Sequence, residues 1–552
     1  MKTKMNFIGK LGILFLMFAS SAFSQNITNT LGTGGVFTIK DASTNYLTLS
    51  QSTGHVNILR SLGLVNTTSS SLGIIFKGPD RFLHNYGTNN TFLGINSGNF
   101  TMTGTDNTAV GYQSLFSNTT GNYNTAVGFH SLVNNTTGIS NTALGWGSLR
   151  GNTSGNNNTA LGVGSLITNT TGYGNTAVGY SSLESNTSGF SNTAVGSNSL
   201  LSNTTGDGST AVGIASLLSN TTGNNNTAVG SSSLFFNTTG SSNTALGKTA
   251  LYSNTSGGNN TAVGWRSLLS NTTGNNNTAV GLSSLYSNTT GAFNTALGTL
   301  SLFSNTSGFQ NTAVGLNSLY SNTTGVLNTA LGNLSLSSNT SGLENTAVGY
   351  QSLYSNSAGR YNTAVGKGAL ANNLIGWFNT AVGTNSLYSN SAYYNTALGF
   401  QSLYTNTIGS GNTAVGYHSL VFNTGDSNTA LGYNAGSNIT TGSNNIAIGN
   451  DAQVPFNTGS NQVRIGNTTV TQICGQVNFT VCSDKRLKSN ILNSNLGLNF
   501  ISKLRPVSYT RNNDETQKIE YGFIAQEVEE VLEESGVDKS GIINIDDEGG
   551  YA

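Results

Sequence analysis

The sequence predicts a mainly β protein: a repetitive β-solenoid followed by a small α+β domain. Three observations predict it. A 17-residue unit, Asn107 to Tyr123 (NTAVGYQSLFSNTTGNY), recurs with openings at Asn124, Asn141, Asn158, Asn175 and Asn192. From a looser copy at Asn90 to another at Asn445 there are 22 openings, and only Asn379 to Asn395 and Asn412 to Asn428 are one residue short. A short period kept this long marks stacked units, each one rung of a solenoid. The composition, with 71 glycines and 8% charged residues, is unlike a globular enzyme and disfavours helix. That character stops at Ser483, since the last 70 residues hold 13 of the 21 acidic and 8 of the 21 basic side chains.

Taken in order, residues 1–24 read as a secretory signal. Lys2, Lys4 and Lys10 give the positive start, Leu11 to Ala19 the apolar run, and Ala22-Phe23-Ser24 a cleavage site before Gln25. The run is too short to span a bilayer, and no other stretch is long enough. A secreted or cell-surface bacterial protein without an integral membrane segment follows. Residues 25–89 form a β cap region, with Gly35 to Lys40 and Tyr46 to Leu49 alternating as strands do. A cap would shield the open edge of the solenoid.

Residues 90–465 are the repeat array. Ala109, Val110 (Leu at Leu144) and Leu115 are the recurring apolar positions of the rung. The next position is large and apolar at Phe116, Val133 and Ile167 but charged at Arg150 and Glu184, so it faces outward or toward a partner. Gly111 and Gly121 mark corners. Seventeen residues at ~3.3 Å give a perimeter of roughly 55 Å, room for two or three short strands, and stacking at ~4.8 Å gives a length on the order of 100 Å. Stacked Asn and Thr side chains can satisfy one another along the axis. The apolar content is thin, which favours several chains around one axis. The NTAVG, NTALG and NNIAIG segments resemble the head repeats of trimeric autotransporter adhesins over residues 90 to about 465. That resemblance implies a homotrimeric β-roll with a surface glycan or protein as ligand.

A formal net charge of zero gives no reason to expect nucleic acid as a partner. Asp106, Asp207 and Asp426 are too sporadic for a calcium roll, and His55, His84, His130 and His418 lack ligand spacing, so neither a metal nor a cofactor is expected. Cys474 and Cys482 could pair with each other, cross-link chains or stay free.

Residues 466–482 read as linker strands, and 483–552 as the separate domain. Leu496 to Leu504 is a short amphipathic stretch ended by Pro506. Pro506 to Thr510 and Ile519 to Ile524 read as a hairpin, and Ala525 to Ser535 as a helix with Ala525, Val528, Val531 and Leu532 on one face. On spacing alone, Ser483 is a helix N-cap with Asp484 in the first turn. Three motifs change that reading: Ser483-Asp484-Lys485-Arg486-Leu487-Lys488, Leu504-Arg505-Pro506-Val507-Ser508-Tyr509, and Gly522-Phe523-Ile524-Ala525-Gln526-Glu527-Val528. Together they resemble the intramolecular chaperone of endosialidase-type tailspikes, peptidase family S74.

The resemblance implies a domain that trimerises, guides folding of a β-rich fibre and then cuts itself off between Cys482 and Ser483. Ser483 would be the nucleophile and Lys488 its base, neutral through burial or a cationic neighbour. Asp484 could orient Lys488 or the hydroxyl. Domains of that family continue into a further strand and a coiled-coil helix, so the stretch ending at Ala552 reads as truncated. The expected function is an exported, adhesin-like fibre matured by a single self-cleavage. An ice-binding solenoid, suggested by the strict recurrence of Thr108, and a phage-type tail fibre are the alternatives.

Overall fold

The computed structural model describes residues 36–40, 45–50, 56–58, 63–70, 72–473, 497–510 and 519–537. The chain divides into two compact units, Met1–Val470 and Thr471–Ala552.

The first unit is a solenoid. Each rung gives one three-residue strand, from Thr91–Leu93 through Thr108–Val110 to Val463–Ile465, 23 strands in all. Neighbours pair parallel and in register, Thr108 on Thr125, Ala109 on Ala126 and Val110 on Val127. Gln462 opens a rung beyond the last one that the Asn pattern marks, since Val463–Ile465 pairs on Ile446–Ile448. One strand per rung is fewer than the perimeter allowed. The rest of the rung is turn, yet it keeps bonding to the next rung: Leu115 N–H donates to Ser131 O (3.0 Å) and Ser117 N–H to Val133 O (3.0 Å). The turns are tight because three non-glycine residues adopt left-handed backbone, Gln113 (φ 52°), Leu115 (φ 54°) and Tyr123 (φ 58°). Each such residue costs roughly 1–2 kcal/mol, a strain that persists only where the surroundings over-determine it.

Strand alternation decides what lies inside. Ala109 faces in and is buried, while Thr108 and Val110 face out. Val110, one of the three recurring apolar positions, is therefore a surface position. The interior of a rung is Ala109, Leu115, Ser114 and two asparagines, Asn107 and Asn118, all fully buried. Two amide ladders take the place of the missing apolar bulk. Asn124 donates to Asn107 Oδ1 from its backbone N–H (3.0 Å) and its Nδ2 (3.2 Å), and Nδ2 also donates to Gly138 O (2.9 Å). In the second ladder Asn135 Nδ2 donates to Asn118 Oδ1 (2.9 Å) and to the same Gly138 O (3.0 Å). Gly138 must be glycine because a Cβ there would sit 2.4 Å from Asn135 Oδ1. Gly128 must be glycine for its φ of 135° and for the 2.4 Å its Cβ would leave to Gly145 O.

The ends differ from the middle. In the first rung Phe92 stands where the rungs from Asn107 to Asn412 have Ala, and Gly98 where they have Leu; a Cβ at Gly98 would meet the Phe92 ring at 2.7 Å. Volume is thus exchanged between the two positions. The hairpin Ile75–Lys77 and Asp80–His84 then pairs antiparallel on this rung, Leu83 with Leu93, and covers its edge. Within residues 25–89, Val36–Lys40, Asn45–Ser50 and Val56–Ile58 form a separate antiparallel sheet. In the last rung Arg464 takes the alanine position, and its Nε donates to Gly466 O (2.7 Å). Residues 466–473, the described part of the expected linker, contain turns and no strand.

Candidate functional site

The second unit holds the family motifs. A short helix, Leu498–Ile501, ends ahead of Pro506, which lacks the N–H a continuing helix needs. Val507–Tyr509 and Glu520–Gly522 follow as an antiparallel pair, Val507 opposite Gly522 and Tyr509 opposite Glu520. The helix Ala525–Glu534 begins two residues later, with Glu527 in its first turn, where the helix dipole favours negative charge.

Two ion pairs tie the segment before the hairpin to this helix. Arg505 grips Glu527 bidentately, Nε to Oε2 at 3.0 Å and a second guanidinium nitrogen to Oε1. The hydrogen bond from Arg505 holds the Glu527 carboxyl below its ordinary range, and the same bond raises the guanidinium. Lys503 Nζ lies 2.9 Å from Glu534 Oε2. Arg505 and Glu527 belong to two different motifs, so their pairing joins these motifs a second time, beside the strand pairing of Val507 with Gly522. Sequence reasoning missed it because 22 residues separate the partners and no helical spacing connects them; the only signal was one unassigned charge in each motif, the two of opposite sign.

Apolar burial in this unit is slight. Among its described residues only Val531 and Leu532 are buried, whereas Leu498 is 85% and Tyr521 83% exposed, with Ile501, Ile519 and Phe523 also open. Val531 and Leu532 lie on the helical face expected to be apolar; Ala525 and Val528 on that face are half-buried.

Residues 483–537 match the family model of the chaperone of endosialidase, Peptidase S74. No curated protein and no solved structure matches the chain. The matched Peptidase S74 segment spans all three quoted motifs. Ser483, Asp484 and Lys488, the cleavage site Cys482–Ser483, and the cysteines Cys474 and Cys482 lie outside the described residues.

Elsewhere, no cluster of three metal-ligating side chains occurs among the described residues, and no helix there is long and apolar enough to cross a membrane. The described histidines have local roles. His84 is buried, bonds Ser97 O at 2.9 Å, and is held at about 4 chiefly by burial. His130 and His418 each bond a glutamine one rung away, Gln113 at 2.8 Å and Gln401 at 2.7 Å. The outer surface carries stacked rings, such as Tyr286, Phe303 and Tyr320 with centroids 5.0 and 5.2 Å apart.

Proposed function

We propose that this chain is the subunit of an exported, adhesin-like surface fibre whose S74 segment assembles three copies and then releases itself by cleavage between Cys482 and Ser483. The observation that carries the reading is the adjacency of a long β-solenoid and an S74 segment. Parallel β stacking is a slow, non-local folding problem that exposes unpaired edges while it proceeds, and a transient assembly domain answers it. The open apolar surface of the second unit supports association, because Leu498, Ile501, Ile519, Tyr521 and Phe523 are what a partner copy would cover.

Cleavage would be a single turnover in cis. Ser483 Oγ attacks the carbonyl carbon of Cys482, Lys488 takes the hydroxyl proton and returns it to the leaving amine, and water opens the resulting ester. Asp484 would orient the lysine. The product is the fibre ending at Cys482 and a fragment beginning at Ser483. Intact-mass measurement on the expressed gene tests this: wild type should give the two products, and Ser483→Ala and Lys488→Ala one uncut chain. Equal lengths in all three would end the peptidase reading, leaving assembly to be judged by mass in solution.

A further inference from the structure

The repeats of this chain are an alignment of the protein with itself, and one outward face stands apart in it. The third strand residue is Val, Leu or Ile in all 23 strands, from Leu93 through Val110 to Ile465. The first strand residue is Thr in 21 of them and Ile446 or Val463 in the last two. The columns of Ser117, Thr119 and Thr120 are mostly Ser and Thr, and the outward columns richest in large side chains admit charge: Lys248 and Lys367 in the column of Tyr112, Arg150 and Glu184 in that of Phe116, Asp106 and Glu344 in that of Tyr123. The Thr/aliphatic face never does. Its aliphatic residues are nonetheless open, with Leu144 at 44%, Leu331 at 47% and Leu431 at 49% exposed.

We infer that this face is where sister chains meet, three copies lying parallel with their Thr/aliphatic columns turned to a common axis. The inference rests on the three-chain reading above and names the surface that reading leaves open. Size supports it: 23 rungs at ~4.8 Å, by a width of about 10 Å, give on the order of 1,000 Å² per chain, so that three chains together bury roughly 3,000 Å² in the seam, against about 1,600 Å² in a standard two-chain interface. Position supports it too. The rungs with apolar side chains at both outward positions, Ile446 with Ile448 and Val463 with Ile465, are those nearest in sequence to the S74 segment, where association would start. A column one strand wide suits a seam shared by three chains, each giving the same surface.

The test uses the full chain and two double variants in the same pair of rungs. Val263→Asp with Val280→Asp lies on the face; Leu269→Asp with Tyr286→Asp lies on another outward column. Mass is read by light scattering and sedimentation, with far-ultraviolet circular dichroism to check folding. Wild type and the second pair should hold three chains, and the first pair should fall below three or melt at least 5 °C lower. Because the first pair could fail for want of folding, Val280→Cys and Tyr286→Cys are oxidised separately. A disulfide joining two copies should form at position 280 and not at 286. A three-chain wild type that cross-links at 286 but not at 280, or whose face variants match the controls, overturns the face and leaves trimerisation standing. A single-chain wild type, whatever the face then binds, ice included, overturns both.

Discussion

In the solenoid a 17-residue rung closes around Ala109, Leu115, Ser114 and two asparagine amides, with no ionisable group inside. Among its described residues the second unit buries Val531 and Leu532, leaves most large apolar side chains open, and carries the ion pairs Arg505–Glu527 and Lys503–Glu534. Low apolar content thus has two outcomes. Where the sequence repeats, each polar side chain has an identical neighbour one rung away and satisfies itself within the chain. Where it does not repeat, the apolar surface stays uncovered and charges hold the elements together. Internal satisfaction of polar groups comes from periodicity, and open apolar surface goes with its absence.

The largest expected effect tests the close approach between rungs. Gly128→Ala should cost more than about 3 kcal/mol, because a left-handed backbone and a backbone clash act together. Since rungs contact only their neighbours, limited proteolysis should cut near residue 128 and leave the distal rungs intact. Protection equal to wild type would show that the rungs can part without cost.

Next comes the amide ladder. Asn271 Nδ2 donates to Asn254 Oδ1 (2.8 Å) and Gly274 O (3.0 Å), and its Oδ1 accepts from Asn288 Nδ2 (2.8 Å). Asn271→Ala leaves a buried acceptor and a buried donor short of partners, a loss of about 2–4 kcal/mol readable as a lower urea midpoint. An unchanged midpoint would mean the ladder only fills space. The converse is available at Ser209, where the first ladder thins to Ser209 N–H on Asn192 Oδ1 (2.9 Å) and Asn226 N–H on Ser209 Oγ (3.3 Å). Ser209→Asn should raise stability by about 1 kcal/mol.

Acid separates the regions more gently. His84 is the one ionisable side chain buried among the described residues of the solenoid unit. Its folded pKa of about 4 lies below the ordinary 6.5, so its contribution is full above pH 6.5 and is lost as pH falls from there toward 4. Hydrogen exchange should show the hairpin strand Asp80–His84 loosening over that window while rungs around Asn271 stay protected; uniform loosening would contradict the placement. The smallest effect belongs to Glu527→Gln. It removes an exposed ion pair, so it should shift the melting of the second unit slightly in low salt and not in high salt.

The period, the inward Ala and Leu, the corner glycines and every described element of the second unit were legible in the sequence. The outward direction of Val110 was not legible, because an aliphatic residue in a polar rung carries no mark of its side, and only the three-residue strand shows that alternation turns it outward. The left-handed Leu115 carries no mark, since leucine is a residue that avoids that region. Asparagine as core was half legible: stacking was expected, but not that Asn107 and Asn118 would both point inward onto one glycine carbonyl. The candidate chemistry was legible only through the motifs, and the Arg505–Glu527 pair that joins two of them needed the fold.

The 16-residue rungs carry a last consequence. In each, the amide of the next opening asparagine turns to the second ladder, Asn395 Nδ2 to Asn390 Oδ1 (3.1 Å) and Asn428 Nδ2 to Asn423 Oδ1 (2.9 Å). An array of interchangeable turns can be mispaired by one whole turn with almost no penalty, between neighbouring strands of the fibre as between misaligned copies of its gene. Two odd-sized turns near one end act as vernier marks: in the three-chain assembly proposed above, sister subunits that slip would lose the match of rung lengths there. Alleles should therefore vary in length ahead of residue 379 and keep both marks.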